Sequence, residues 1–122
     1  MWDEVKISAG LSYDTNEDRI VGTEEWGKTS TNELADHAIV FGIHGVQSQM
    51  FFTIGYGFCE GQTDSSSIVE MVEDVVKVCK DNNFNIIASV CDQGSNNSKA
   101  VRSLVKQTDR VRQKLNLENC KF

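Results

Sequence analysis

The spacing of apolar residues predicts three strands and a hairpin in the first half of the chain. Residues 2–8 alternate between apolar and polar side chains, which is typical of a strand. Two runs rich in branched and aromatic residues, 37–46 and 50–58, predict further strands, and the short polar link between them favours an antiparallel pair. Before this pair, residues 12–21 predict a small hairpin around a polar turn, and the polar segment 22–36 predicts a mobile loop.

A helix is predicted shortly after the second strand of this pair. The segment Asp64-Ser-Ser-Ser begins it, and Ser67 and Glu70 have the spacing of a capping box. The helix is expected to run to about Lys80, because the asparagines at 82–83 favour a helix end. Apolar residues recur at helical spacing on one face, at Ile68, Val72, Val75 and Cys79.

An apolar run at 85–91 follows this helix and predicts a buried, central, parallel strand. It leads into the turn Asp92-Gln-Gly-Ser-Asn-Asn, and a second helix is expected to begin near Asn97. The predicted order is strand, hairpin, strand, strand, helix, strand, helix. We therefore expect the α/β class, as a mixed α+β sheet, in a single domain over residues 1–122.

Composition and charge narrow the function classes. The chain has 122 residues, no proline and a net charge of −6, which is ordinary for one soluble domain but unfavourable for a free-standing nucleic-acid binder. Residues 97–122 nevertheless carry seven basic and two acidic residues. Lys99, Arg102 and Lys106 in this basic part are candidates for contact with a phosphate backbone, although a solvated helix face explains them as well. No apolar stretch approaches the roughly 20 residues of a membrane helix, so no membrane partner is expected.

The cysteines and histidines do not form a metal-binding pattern. No Cys-x-x-Cys pair occurs, and His37 and His44 fall on opposite faces of one predicted strand. Glycines at 55 and 57 lie inside another predicted strand and indicate a bulge or a close backbone neighbour. The simplest interpretation of the cysteines is free thiols in a reducing compartment, at Cys59, Cys79, Cys91 and Cys120.

Asp92 is the first candidate for chemistry. An acid at the end of a buried parallel strand, followed by a glycine-containing turn and a helix, lies where α/β folds place their ligands. The alternative is a structural aspartate that caps the helix or stabilises the turn, helped by Gly94 and Asn96.

Asp3 is the second candidate. It shares a strand face with Val5 and Ile7, so it is expected to point to the core or a cleft, where an unpaired carboxylate is costly. The alternative is a frayed N-terminus that leaves Asp3 in water. If the first and last strands are neighbours, Asp3 and Asp92 converge, and two converging carboxylates bind Mg²⁺ through oxygen. Glu4 faces the other side and is a weaker candidate.

Five segments, taken in chain order, resemble the RNase H-like catalytic domain of P-element-type transposases, including the THAP-domain transposases. The resemblance extends from Trp2 to about Arg102, and the first and last segments are its specific ones. The segments are Trp2-Asp-Glu-Val-Lys-Ile, Leu11-Ser-Tyr-Asp, Asp18-Arg-Ile-Val-Gly, Ala35-Asp-His-Ala-Ile-Val-Phe and Val90-Cys-Asp-Gln-Gly-Ser-Asn-Asn. The family's proline-containing stretch before its third strand has no counterpart in Val46-Gln-Ser-Gln-Met-Phe.

The resemblance implies an RNase H-like sheet whose adjacent first and fourth strands each carry a catalytic aspartate of a DDE/D-type site, here Asp3 and Asp92. It also implies Mg²⁺ or Mn²⁺ as cofactor, transposon-end DNA as partner, and a nuclear location, with the oligomeric state left open. No residue matches the family's third acid, which lies far downstream. We therefore expect an incomplete N-terminal part that needs a C-terminal catalytic segment and has no strand-transfer activity alone.

Two other function classes stay open. A domesticated, non-catalytic interaction module would keep the fold without the reaction, and the unmatched third acid motivates this alternative. A nucleotide-binding α/β domain would use backbone N–H groups of the turn at 92–97. That turn lacks the phosphate-binding lysine of a Walker loop, which makes the nucleotide-binding class the least favoured.

Overall fold

The computed structural model describes residues 1–27 and 29–117. They contain a five-stranded antiparallel sheet, a separate hairpin and two helices. The elements are β1 (Trp2–Lys6), β2 (Ser12–Asp14), β3 (Arg19–Val21), β4 (Thr23–Trp26), β5 (Thr29–Leu34), β6 (His37–His44), β7 (Phe51–Cys59), α1 (Ser65–Asp81) and α2 (Ser95–Lys114). The sheet order is β1-β6-β7-β4-β5, and β2 pairs with β3. The predicted mixed α+β class and the small hairpin are therefore confirmed, as are the strands that became β1, β6 and β7.

One face of the sheet forms the hydrophobic core with the two helices. The alternation along β6 buries Ile39 and Phe41, and β1 adds Trp2 from the same face. Burying each such side chain contributes about 1.5–3 kcal/mol of transfer free energy. The helices close this core with the apolar stripe of α1 and one small residue of α2, namely Ile68, Val69, Met71, Val72 and Ala100.

The N-terminal cap of α1 differs from the predicted capping box. Asp64 is the N-cap, and its Oδ1 accepts hydrogen bonds from the backbone N–H groups of Ser66 at 2.8 Å and Ser67 at 3.2 Å. Ser67 donates its hydroxyl back to Asp64 Oδ2 at 2.6 Å, so it lies inside the first turn and is not the cap. The expectation of a Ser67–Glu70 box was wrong, because the aspartate three residues earlier supplies a stronger, charged acceptor. At the other end Asn82 is the C-cap, as predicted.

The segment 22–36 forms a hairpin, β4–β5, where the sequence predicts a loop. Its anchor is Trp26, whose indole packs 5.6 Å from the ring of Phe41 and donates from Nε1 to Asp74 Oδ2 at 3.2 Å. A Cβ built on Gly57 would lie 2.9 Å from Trp26 Cε3, so the glycine leaves the space that the indole fills. The close neighbour of the β7 glycines is therefore a side chain, Trp26, rather than a backbone, and the predicted bulge occurs beside Gly55, where the β6–β7 register shifts. The sequence does not predict this hairpin because its composition is as polar as that of a loop, and β5 is exposed along its whole length.

Residues 85–91 do not form the predicted buried strand. Residues 85–90 are exposed, with Ile87 and Val90 at 67% and 63%. The segment runs beside β1, where Trp2 N–H donates to Val90 C=O at 3.0 Å, but it forms no strand ladder. A central strand forms backbone hydrogen bonds with neighbours on both sides, whereas the bond to β1 is the one that the described residues show for this segment. An apolar run alone does not distinguish these two environments.

The cysteines of the described residues are free thiols. Cys59 and Cys79 are buried and Cys91 is half-buried, and burial is the main cause that raises the pKa of all three. Cys120 lies outside the described residues. In the part of the chain that the structure describes, no helix has the length and apolar character needed to cross a membrane.

Candidate functional site

β1 presents its two faces to different environments. Trp2 is buried at 4% exposure and Glu4 is half-buried, so these residues face the core. Asp3 and Val5 point the other way and are exposed. Of the two environments expected for Asp3, the core is wrong, because the bulky indole of Trp2 takes the core side and alternation then turns Asp3 outward. Asp3 nevertheless lies on a strand fully paired with β6 rather than on a frayed end.

The hydrogen bond between Trp2 N–H and Val90 C=O places the segment before Asp92 beside β1, the edge strand that carries Asp3. Asp3 follows Trp2 directly on β1, and Asp92 is the second residue after Val90. Asp3 lies on the open face of the sheet, whereas Asp92 lies in the turn that leads into α2. The predicted neighbourhood of the first strand and the segment before Asp92 therefore exists.

Asp92 organises the turn before α2 through one of its two oxygens. Its Oδ1 accepts from Gly94 N–H at 3.0 Å and from Asn97 Nδ2 at 2.5 Å. These two donors stabilise the charged form and lower the pKa of the Asp92 carboxyl, the backbone N–H being the larger cause. A Cβ built on Gly94 would lie 3.1 Å from Asp92 Oδ1, so a larger residue there would crowd the turn. The structural role considered for Asp92 is thus real, while its Oδ2 has no hydrogen bond within the described residues.

Asn97 connects Asp92 to β1. While its Nδ2 donates to Asp92, its Oδ1 accepts from Trp2 Nε1 at 3.2 Å, and the side chain is buried at 8% exposure. The sequence pattern places Asn97 at the helix start and in the turn, but it does not predict this side-chain link. A usable signal exists, because Asn97 is the third helical residue after the N-cap Gly94, and side chains there reach back over the helix N-terminus.

A second polar link holds β1 against the helices. Glu4 Oε1 accepts from the backbone N–H of Thr63 at 2.8 Å and from its hydroxyl at 2.7 Å. The carbonyl of Thr63 in turn accepts from Asn96 Nδ2 at 3.0 Å, in the first turn of α2. Glu4 faces away from Asp3, as predicted, and it fixes the strand that carries Asp3.

The donor set at this edge suits a hard divalent cation. Asp3 and Asp92 are both exposed carboxylates, and Asp3 uses one oxygen to accept from Glu4 N–H at 2.9 Å. Carboxylate oxygens are the ligands that Mg²⁺ prefers, and this ion usually keeps several waters. Within residues 1–27 and 29–117, no three His, Cys, Asp or Glu side chains gather closely enough to hold a metal ion by themselves. The carboxylates of Asp3 and Asp92 have the chemistry that Mg²⁺ prefers, while the described residues do not gather a full set of ligands.

The basic candidates Lys99, Arg102 and Lys106 are exposed on α2, which begins three residues after Asp92. They lie along the helix as it leaves the turn.

Comparison with known proteins identifies a family and a fold. The family model described as TNP-like, RNase H N-terminal domain, matches residues 1–105. A similar solved structure is titled Drosophila P element transposase strand transfer complex, with a TM-score of 0.57 and 18% identity over 84% of this chain. The chain covers 20% of that transposase chain, and at this identity the likeness concerns the fold. No curated protein sequence matches significantly. The expected RNase H-like fold is therefore confirmed.

Proposed function

Since this chain belongs to the TNP-like RNase H N-terminal domain family, we propose that it supplies two catalytic carboxylates, Asp3 and Asp92, to a DDE/D-type DNA transposase. The proposal rests above all on the hydrogen bond from Trp2 N–H to Val90 C=O, because it joins the residue before Asp3 to the segment that ends, two residues later, at Asp92. The substrate would be transposon-end DNA, and the reaction would be phosphoryl transfer in DNA cleavage and strand transfer. Such a protein would act in the nucleus.

Asp3 and Asp92 would hold Mg²⁺ or Mn²⁺. When bound, such an ion supplies Lewis-acid stabilisation for the charge that develops on a transferring phosphoryl group. The chain's own contribution is preorganisation. The hydrogen bonds to Asp92 Oδ1 lower the pKa of its carboxyl, and Asn97 holds the carboxyl in place against Trp2, leaving Oδ2 as an acceptor.

The 122-residue chain alone should not catalyse strand transfer. A DDE/D-type site uses a third acid, and no residue of this chain matches one. A strand-transfer assay with transposon-end DNA and Mn²⁺ should therefore give no joined product. Measurable turnover by the purified chain would contradict this part of the proposal.

Titration with Mn²⁺, followed by the electron paramagnetic resonance signal of the free ion, tests the site. We expect weak binding of one ion, and Asp3→Asn and Asp92→Asn should each lower the affinity about tenfold or more by removing a charged ligand. Glu73→Gln, at an exposed acid of α1, has the same charge change and should leave the affinity unchanged. Equal affinity in all four proteins would overturn the proposal.

A further inference from the structure

Five basic residues form a single stripe along α2. They follow one another at intervals of three, four, four and four positions, which places them on one face of the helix. All five are exposed. We call this set the basic stripe: Lys99, Arg102, Lys106, Arg110 and Lys114.

The basic stripe lies on the side of α2 that faces away from the core. The core side is set by Asn97 and Ala100, which are buried, and by Leu104, which packs against the core cluster. These positions lie roughly opposite the stripe on a helix of 3.6 residues per turn. Arg112 is half-buried and lies off the stripe, so it is not counted in it. The five charges of the stripe are therefore presented together to the solvent.

The charges of α2 differ from those of an ordinary exposed helix face. On α1 both signs are interspersed among the exposed residues Glu70, Glu73, Asp74, Lys77, Lys80 and Asp81. On α2 six residues are basic and one, Asp109, is acidic. Like charges four positions apart destabilise a helix, so the stripe opposes helix formation. Among the described residues, no ion pair involves a member of the stripe. A polyanion bound along the stripe would reduce this repulsion.

We propose that the basic stripe binds the phosphate backbone of duplex DNA without reading its sequence. This inference rests on the proposed function, which makes DNA the substrate. The stripe extends over about 22 Å, given a rise of about 1.5 Å per residue, and duplex DNA carries about one negative charge per 1.7 Å of its axis. Several phosphates can therefore face the stripe at once. Since α2 begins just after Asp92, DNA along the stripe would lead towards the proposed metal site.

Fluorescence anisotropy of a labelled 25-base-pair duplex, titrated with the 122-residue chain in EDTA at several salt concentrations, tests this inference. Each neutralised phosphate contributes a slope of about −0.9 to the plot of log affinity against log salt concentration, so five contacts predict about −4.5. The stripe variant carries three substitutions, Lys106→Gln, Arg110→Gln and Lys114→Gln. Its slope should be less steep by about 2.7, and its binding at low salt should be weaker by about tenfold or more.

A matched variant separates the stripe from net charge. Lys6→Gln, Lys77→Gln and Lys80→Gln remove three exposed bases outside α2 and give the same net charge as the stripe variant. This control should keep the slope of the parent protein. The charge-preserving pair Arg102→Lys and Arg110→Lys should keep it as well, because backbone contacts require charge rather than the guanidinium shape. Circular dichroism confirms that each variant is folded.

Three results would overturn the inference. One is no measurable DNA binding at low salt by the folded parent chain. The second is an equal loss of slope in the stripe variant and the control variant. The third is self-association or binding to an acidic protein, detected by sedimentation and lost in the stripe variant, without DNA binding. EDTA removes metal ions from the assay, so a failure of the Asp3–Asp92 metal site would leave this result unaffected.

Discussion

At the scale of single residues, Asn97 has the most consequential position in this chain. Its amide satisfies two partners on different elements, Asp92 in the turn and the indole of Trp2 on β1. Both Asn97 and Trp2 are buried, so neither can exchange its partner for water without rearrangement. The same side chain therefore stabilises the fold and fixes the candidate catalytic carboxylate.

Replacing Asn97 should affect stability and the Asp92 carboxyl together. In Asn97→Ala the Trp2 indole N–H loses its buried acceptor, which should cost about 1–3 kcal/mol of unfolding free energy. The pKa of Asp92 should rise only part of the way to its usual value, because Gly94 N–H still donates to it. Urea denaturation and carboxyl-detected NMR titration measure the two effects. Gln93→Ala, at an exposed neighbour of Asp92, is the control. An unchanged pKa of Asp92 in Asn97→Ala would refute the role of the Asn97–Asp92 hydrogen bond.

The candidate residues were predictable to different degrees. Asp92 could be found because an acid between an apolar run and a glycine-containing turn is a local pattern. The face of Asp3 could not be read reliably, since alternation on β1 assigns two opposite faces and does not say which one is covered. Asn97 was missed because its two partners are five and 95 positions away, and the longer link depends on tertiary structure.

At the scale of elements, β7 and the β4–β5 hairpin depend on a glycine contact with Trp26. A Cβ at Gly57 would lie 2.9 Å from the indole, whereas one at Gly55 would lie 3.6 Å from it, an ordinary contact distance. We expect Gly57→Ala to lower the unfolding free energy by about 1–3 kcal/mol through overpacking. Gly55→Ala, the matched control on the same strand, should change it by no more than about 0.5 kcal/mol. Equal stability of the two variants in urea denaturation would contradict this role of Trp26.

Elements with a local signature were predictable, and those defined by their neighbours were not. The strands β6 and β7 follow from their branched and aromatic composition, and the stripe of α1 follows from helical periodicity. The start of α2 follows, within a few residues, from the turn before it. The hairpin β4–β5 is polar and exposed, so only its contact through Trp26 reveals it. Residues 85–91 have the composition of a buried strand, but their burial depends on what lies beside them, which no local pattern encodes.

At the scale of the whole molecule, acid should destabilise the fold. Hydrogen bonds lower the pKa of Asp64, through Ser66 and Ser67, and of Asp92, while His37 and Gly61 N–H lower that of Asp36. A carboxyl with a lowered folded pKa contributes stability that is fully present above its unfolded pKa of about 3.9 and is lost as pH falls towards the folded value. Urea denaturation should therefore show decreasing stability below about pH 4. Constant or increasing stability below about pH 4 would contradict a stabilising role for the hydrogen bonds to these three carboxyls.

The charges are unevenly distributed over the molecule. Most of the chain is acidic, whereas α2 presents its single-sign face next to the turn that carries Asp92. The overall charge of −6 does not by itself exclude binding to nucleic acid, because a local surface of opposite sign can still bind a polyanion. This division was visible in the sequence, but the alignment of the five bases on one exposed face required the helix boundaries.

The central claim is that Asp3 and Asp92 share one divalent cation, and paramagnetic NMR tests it most directly. Substoichiometric Mn²⁺ should broaden the amide signals around Asp3 on β1 and around Asp92 in the turn together, at the same ion concentration. Asp3→Asn and Asp92→Asn should each abolish the broadening at both places. If each region stays broadened in the other residue's variant, or if Mn²⁺ broadens other acidic regions instead, the two aspartates do not form one site.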